Sequence, residues 1–273
     1  MIKKAVFFYN SKRETARLFT DRALNFLKKL GIKTEKICVN KKSRFSGRAD
    51  IAISSGGDGT ALYAARSLGS SKIPLVPVNA GGLGFLSSVE PTEFESFFMK
   101  VLNGHFLKIE RFFLAIREGG KKYLALNDCV LRSSQARAFH LDVKYNGDFL
   151  SSYFGDGLIV STPTGSTAYG LAAMGPIIMP SAEVFSLSPI CPHTLTHRPM
   201  VLPSSGELEI SFAPKSGENI KVTVSVDGQE NFSLSRRGKI KLSKSGFSLI
   251  TLVPEEFSYF AVLREKLSWG QRR

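Results

Sequence analysis

The chain has 273 residues, 43% of them hydrophobic and 22% charged, the length of two domains with sizeable cores and the composition of an ordinary globular protein. No apolar run approaches the roughly 18 residues of a membrane helix, and the five apolar residues after Lys3-Lys4 are too few for a signal-peptide core, so the chain is expected to stay in the cytoplasm. The 37 Lys and Arg against 23 Asp and Glu give a net charge of +14, which suits nucleic acid, an anionic membrane surface or polyanionic small substrates, and no recognition module accompanies it to favour nucleic acid.

The excess charge is concentrated at the start, where residues 1–50 hold fourteen basic and four acidic side chains. These steer anionic ligands or simply form a solvated face. Cys38, Cys129 and Cys191 are odd in number and widely spaced, which argues against a disulfide framework or a zinc site and fits a reducing compartment. His193 and His197 sit among prolines with no glutamate between them, a poor metal pair.

In chain order, residues 5–9 are a short apolar run, and Ser11-Lys12-Arg13-Glu14 then has capping-box spacing. Ala16, Leu18, Phe19, Ala23, Phe26, Leu27 and Leu30 recur at helical intervals until Gly31 stops them. Apolar runs at 37–39, 49–54 and 73–78 alternate with helical stretches near 60–68 and 91–102, the pattern of parallel β-α-β winding. After Gly104 the texture becomes period-two, with hairpin signals at Asn146-Gly147 and Asp227-Gly228 and one helical patch near 167–174. The fold class is therefore α/β followed by β: an α/β domain over 1–104, a β-rich domain over 105–253, and a segment 254–273 returning to the first domain. The abundant phenylalanine, 21 residues, reads as core.

Three clusters carry chemistry. The run at 49–54 ends in Gly56-Gly57-Asp58-Gly59-Thr60 and turns into a helix, placing glycine at the carboxyl end of a parallel strand, where α/β sheets bind ligands. Glycine backbone N–H groups at a helix start form a cradle for phosphate. An aspartate there repels phosphate, so Asp58 either holds a divalent cation or accepts a proton from an attacking hydroxyl, unless it is a simple turn residue. Asn79 to Leu86 brings a second glycine turn after the next apolar run. Asp156 to Tyr169 runs through Thr162-Pro163-Thr164-Gly165-Ser166-Thr167-Ala168 and offers hydroxyl donors and an aromatic face for a base; Asn127-Asp128 suits ribose hydroxyls or a turn.

Together with Pro189-Ile190-Cys191-Pro192-His193 and Ser225-Val226-Asp227-Gly228-Gln229, these stretches resemble the bacterial NAD kinase family, in the family's order and across most of the chain. The resemblance implies a Rossmann-like α/β domain, a β-sandwich-like domain, and an active site in the cleft between them. It implies phosphorylation of the adenosine ribose 2′-hydroxyl of NAD to give NADP, with ATP or polyphosphate as donor, magnesium carried by the substrate phosphates or also by Asp58, and a homo-oligomer of two or four subunits. Asp58 would be the catalytic group, with Gly57, Gly59 and Thr60 near phosphate. Asn127 and Asp128 would hold ribose and adenine, Asp156 the nicotinamide end, and Thr164, Thr167, Ala168 and Tyr169 the adenine, with Gln229 also binding. The chain departs from the family at Asp128, usually Glu, at Gly170, usually Ser or Asn, and at Met174, usually Gly. Lipid kinases share the Gly-Gly-Asp-Gly turn, but Thr164 to Thr167 are too polar for a lipid channel. A silent NAD(P) sensor is the other alternative, disfavoured because Asp58 serves binding poorly.

Overall fold

The apolar runs of the first hundred residues form strands β1 (Lys4–Tyr9), β2 (Lys33–Cys38), β3 (Ile51–Gly56) and β4 (Leu75–Asn79), interleaved with helices α1 (Glu14–Lys29), α2 (Asp58–Leu68) and α3 (Phe94–Leu102). The computed structural model describes residues 2–41, 45–82, 84–135, 137–212, 220–234, 237–268 and 270; Leu83, inside the second glycine cluster, lies outside them. The chain divides into two compact units, Met1–Glu110 with Leu249–Arg273, and Arg111–Ser248.

In the first unit the strands are parallel in the order β2-β1-β3-β4. Residues Ala5 to Phe8 of β1 and all of β3 are buried, as in a sheet covered on both faces. Phe94 of α3 is fully buried and meets Phe7, Phe19, Phe26 and Phe98 at centroid distances of 6.4, 5.1, 6.5 and 5.6 Å, so part of the phenylalanine excess is core.

The predicted capping box does not form. Helix α1 begins at Glu14 with Arg13 as an N-cap that makes no side-chain capping bond. Ser11 donates its backbone N–H and its hydroxyl to Asn40 Oδ1, at 3.0 and 3.2 Å, because the turn after β2 brings that acceptor within reach.

The remaining strands are β5 (Leu107–Glu118), β6 (Lys121–Ala125), β7 (Asp128–Ser133), β8 (Phe139–Tyr145), β9 (Asp148–Gly155), β10 (Gly157–Ser161), β11 (Val184–Ile190), β12 (Met200–Pro203), β13 (Leu208–Ser211), β14 (Val222–Val226), β15 (Glu230–Leu234) and β16 (Lys239–Val253). In the second unit β12-β11-β10-β7-β14-β15 form an antiparallel sheet. A second layer contains β13, β8 and β9 with the first part of β16, and the β5–β6 hairpin. Leu131, Val160, Phe185 and Val224 of the first layer pack with Leu114, Leu141, Ile210 and Leu242 of the second, which makes the unit a β-sandwich. Asn146 and Gly147 have φ of 53° and 90°, and Asp227 and Gly228 of 50° and 64°, as tight hairpins require. The helical patch near 167–174 shrinks to a 3₁₀ turn (Thr164–Thr167) and one turn of helix, α4 (Tyr169–Ala172), ending at Met174 with φ 62°.

The last strand, β16, runs from Lys239 to Val253; its Thr251 pairs in parallel with Leu75 of β4, and helix α5 (Tyr259–Leu267) follows. Lys100 Nζ lies 2.9 Å from Glu256, an ion pair within the first unit.

Candidate functional site

The first unit carries two glycine turns at the carboxyl ends of adjacent strands. Strand β3 ends at Gly56, Gly57 is the N-cap of α2 without any side-chain capping bond, and Asp58 is the first helical residue. Strand β4 ends at Asn79 and leads into Gly81, Gly82 and Gly84. The two turns touch: a Cβ on Gly81 would stand 2.4 Å from Gly57 N, so only glycine permits this approach.

Asp58 joins them. Its Oδ2 accepts the Phe85 N–H at 2.7 Å and its Oδ1 the Leu86 N–H at 3.1 Å. A Cβ on Gly84 would fall 2.1 Å from Asp58 Oδ1, which fixes glycine at that position as well. The aspartate therefore holds the second turn against the first while remaining only partly buried. Thr60 is buried, with its N–H on Gly57 O at 2.9 Å and its hydroxyl packed over Gly56. Gly59 is exposed on the first turn of α2. Among the described residues no group of three or more His, Cys, Asp or Glu side chains could hold a metal ion on its own.

In the second unit Asn127, Asp128, Ala168 and Tyr169 line one cavity of about 560 Å³. Its remaining lining includes Val130, Arg132, Thr223, Ser225 and Asn231 on the face of the six-stranded sheet that points away from the core. The cross-strand register sets Thr223 beside Arg132, and Ser225 beside both Val130 and Asn231. Tyr169 is 41% exposed and presents an aromatic face. Asn127 Oδ1 is buried without a hydrogen-bond partner among the described residues, while the Asn127 carbonyl accepts the Thr162 N–H at 2.9 Å. An unsatisfied buried acceptor costs about 1–3 kcal/mol, which a ligand donor would recover.

Asp227 accepts three backbone N–H groups, from Leu126, Asn127 and Asp128 at 3.0, 2.8 and 3.1 Å. Asp128 beside it is 5% exposed, and burial, reinforced by the charge of Asp227, pushes its carboxyl up to about 7. Burial likewise pushes the Cys129 thiol up, away from reactivity.

Other residues expected at a site do not line this cavity. Thr164 is buried, its hydroxyl accepting Arg111 Nη1 at 3.2 Å, and Thr167 donates to the Thr164 carbonyl at 3.4 Å. Ser166 is also spent internally, donating to Pro163 O at 2.7 Å and accepting the Ile178 N–H at 3.0 Å. Asp156 is exposed at the corner between β9 and β10, and Gln229 is exposed in the β14–β15 turn; neither lines the cavity. Val130, Arg132, Thr223 and Asn231 escaped sequence reading, although the period-two alternation of 128–133 and 222–226 does put them opposite the core-facing residues.

Two family models match the chain: the ATP-NAD kinase N-terminal domain over residues 10–106 and the ATP-NAD kinase C-terminal domain over residues 126–253. An NAD kinase of Solibacter usitatus is 41% identical over 229 residues, covering 82% of this chain and 79% of that protein. An NAD kinase of Azotobacter vinelandii is 37% identical over 270 residues, covering 95% and 91%. Among solved structures, yeast NADH kinase complexed with NADH superposes with a TM-score of 0.87 over 100% of this chain and 89% of its own, at 23% identity, a likeness of fold. An NAD kinase from Archaeoglobus fulgidus in complex with ATP gives a TM-score of 0.76 at 25% identity, covering 97% and 98%.

Proposed function

Because the chain belongs to the ATP-NAD kinase family and is an NAD kinase, we propose that its first unit holds the phosphoryl donor, ATP, over the paired glycine turns while its second unit holds the adenosine of NAD. The observation that carries this reading is Asp58, a carboxylate fixed by two backbone donors at the meeting point of two glycine turns. Phosphoryl transfer asks little covalent work of a protein; it needs charge neutralisation and alignment of hydroxyl and phosphorus. Backbone N–H groups at Gly57 and Gly59 serve the first need, and Asp58 serves the second by orienting the 2′-hydroxyl of NAD and taking its proton.

On the acceptor side Tyr169 stacks on adenine, and Asn127 Oδ1 takes a hydrogen bond from an adenine amine or a ribose hydroxyl. Asp128 adds a second ribose contact from the same cavity, with Ala168 as an apolar wall. Magnesium fits as an ion bound mainly by donor phosphates, since Asp58 is the acidic side chain at the turn and no protein cage surrounds it among the described residues. When bound there it would neutralise charge on the transferred group. We place the enzyme in the cytoplasm as a homo-oligomer: its cysteines are all free, no described helix is long and apolar enough to cross a membrane, and Leu195, Met200 and Val201 are exposed apolar side chains around edge strand β12.

The test is NADP formation from NAD, ATP and magnesium by the purified chain, with Gly57→Ala alongside. Gly57 has φ −89°, and a Cβ there meets nothing nearer than Gly81 O at 3.9 Å, so alanine fits the protein and obstructs only a ligand approaching the turn. Gly57→Ala is expected to melt like the parent and to raise the KM for ATP about tenfold or more. An unchanged ATP KM would remove the donor from this turn. Binding of NAD with no NADP formed under any donor would favour the sensor reading.

A further inference from the structure

We propose that Arg13 is a donor-binding residue, its guanidinium pairing with the polyphosphate of the phosphoryl donor beside the second glycine turn. This rests on the reading that the glycine turns hold the donor, and adds a cation that the glycine motifs themselves do not supply. A Cβ built on Gly82, which has φ 104°, would have Arg13 Nη1 as its one neighbour within 4 Å, at 3.9 Å. The guanidinium thus stands over the open side of that turn. Among the described residues it has no carboxylate or hydrogen-bond partner of its own.

The backbone that presents Arg13 is pinned at several points. Asn10 N–H reaches Ser55 O at the end of β3, at 3.3 Å, and Arg13 N–H returns to Asn10 O at 3.2 Å. Asn10 Oδ1 accepts the Lys12 N–H at 3.1 Å, and Ser11 is anchored on Asn40 Oδ1. Just beyond, Thr15 donates its hydroxyl to Ala80 O at 2.8 Å, tying the first turn of α1 to the start of the second glycine turn. The segment is bonded to β3 on one side and to the glycine turn on the other, so Arg13 is held beside Gly82.

The chemistry follows from charge. A triphosphate over the two turns meets backbone N–H dipoles and one carboxylate, Asp58, and dipoles alone leave its net charge uncompensated. An arginine at the rim supplies a full positive charge through a planar fork matched to phosphate oxygens. It also gives part of the basic first fifty residues a defined task.

The experiment compares Arg13→Gln, Arg13→Lys and Gly57→Ala in the full chain, with initial rates measured against ATP at saturating NAD and against NAD at saturating ATP. Loss of one charge-assisted contact is expected to raise the ATP KM of Arg13→Gln about 10- to 100-fold, with the NAD KM within about twofold, an unchanged melting temperature and partial recovery in Arg13→Lys. If Gly57→Ala raises the ATP KM and Arg13→Gln does not, the arginine is overturned and the turn still holds the donor. If neither variant raises it, the donor lies elsewhere and both readings fall. A parallel rise in both KM values with a lowered melting temperature in Arg13→Gln would reduce the residue to a structural part, also overturning the proposal.

Discussion

Replacing Asp58 by asparagine is expected to lower turnover by about 100-fold or more, the range that loss of a general base gives, while the KM for NAD stays near the parent value. The substitution keeps the shape of the side chain and removes its charge. One carboxylate oxygen becomes an NH₂ group facing either the Phe85 N–H at 2.7 Å or the Leu86 N–H at 3.1 Å, two donors apposed across one of the bonds that hold the turns together. A hydrogen bond to a charged group contributes roughly 1.5–3 kcal/mol, so a measurable fall in melting temperature accompanies the kinetic loss without unfolding the first unit. Steady-state rates with a melting curve of the same preparation separate the two effects. A correctly folded Asp58→Asn protein with near-normal turnover would remove the catalytic role from this residue and leave it as a clasp between turns.

The second large effect concerns Asp128, where stability and binding pull in opposite directions. Its carboxyl is raised from 3.8 to about 7 by burial and by the neighbouring charge of Asp227. Between those two values the folded chain holds a proton that the unfolded chain releases, so stability falls as pH rises from about 4 to 7 and the cost is fully present above 7. A shift of that size corresponds to roughly 4 kcal/mol. Asp128→Asn should therefore be more stable than the parent at pH 8 without ligand, and the difference should shrink towards pH 4. Denaturant unfolding of both proteins across that range is the check, and an equal decline in the variant would sink the assignment. The same variant should bind NAD more weakly if, as proposed, the buried carboxylate that lines the cavity is the one that meets ribose. A glutamate, which the family resemblance leads one to expect here, would be one methylene longer; Asp128 feels the charge of Asp227 directly.

Much of the scaffold was legible because its signals are local. Apolar runs ending in glycine located both turns, and Asn146-Gly147 and Asp227-Gly228 announced their hairpins through the positive φ they adopt. Met174 stands where the family resemblance leads one to expect glycine, and its φ of 62° is one that glycine adopts without strain. What stayed hidden depends on partners distant in sequence. Ser11 has the spacing of a cap, yet Asn40 claims it; Ser166 has the look of a ligand donor, yet Pro163 and Ile178 claim it. Arg132, Thr223 and Asn231 become one wall only through the pairing of β7, β14 and β15, a register that alternation along a single strand does not specify.

The placement of Thr251 beside Leu75 also bears on how the protein is made. The unit that leaves the ribosome first lacks its last parallel strand until residues 249–253 emerge, after the whole of Arg111–Ser248. At 5–20 residues per second that is a wait of roughly 7–28 s, during which β4 has an open edge and the glycine turns sit on an unfinished sheet. The middle unit, contiguous in sequence, is free to fold in the meantime. A nascent chain arrested before Leu249 should thus show a protease-resistant second unit and a still-cleavable first one, so that the first unit becomes resistant only after the second has already emerged.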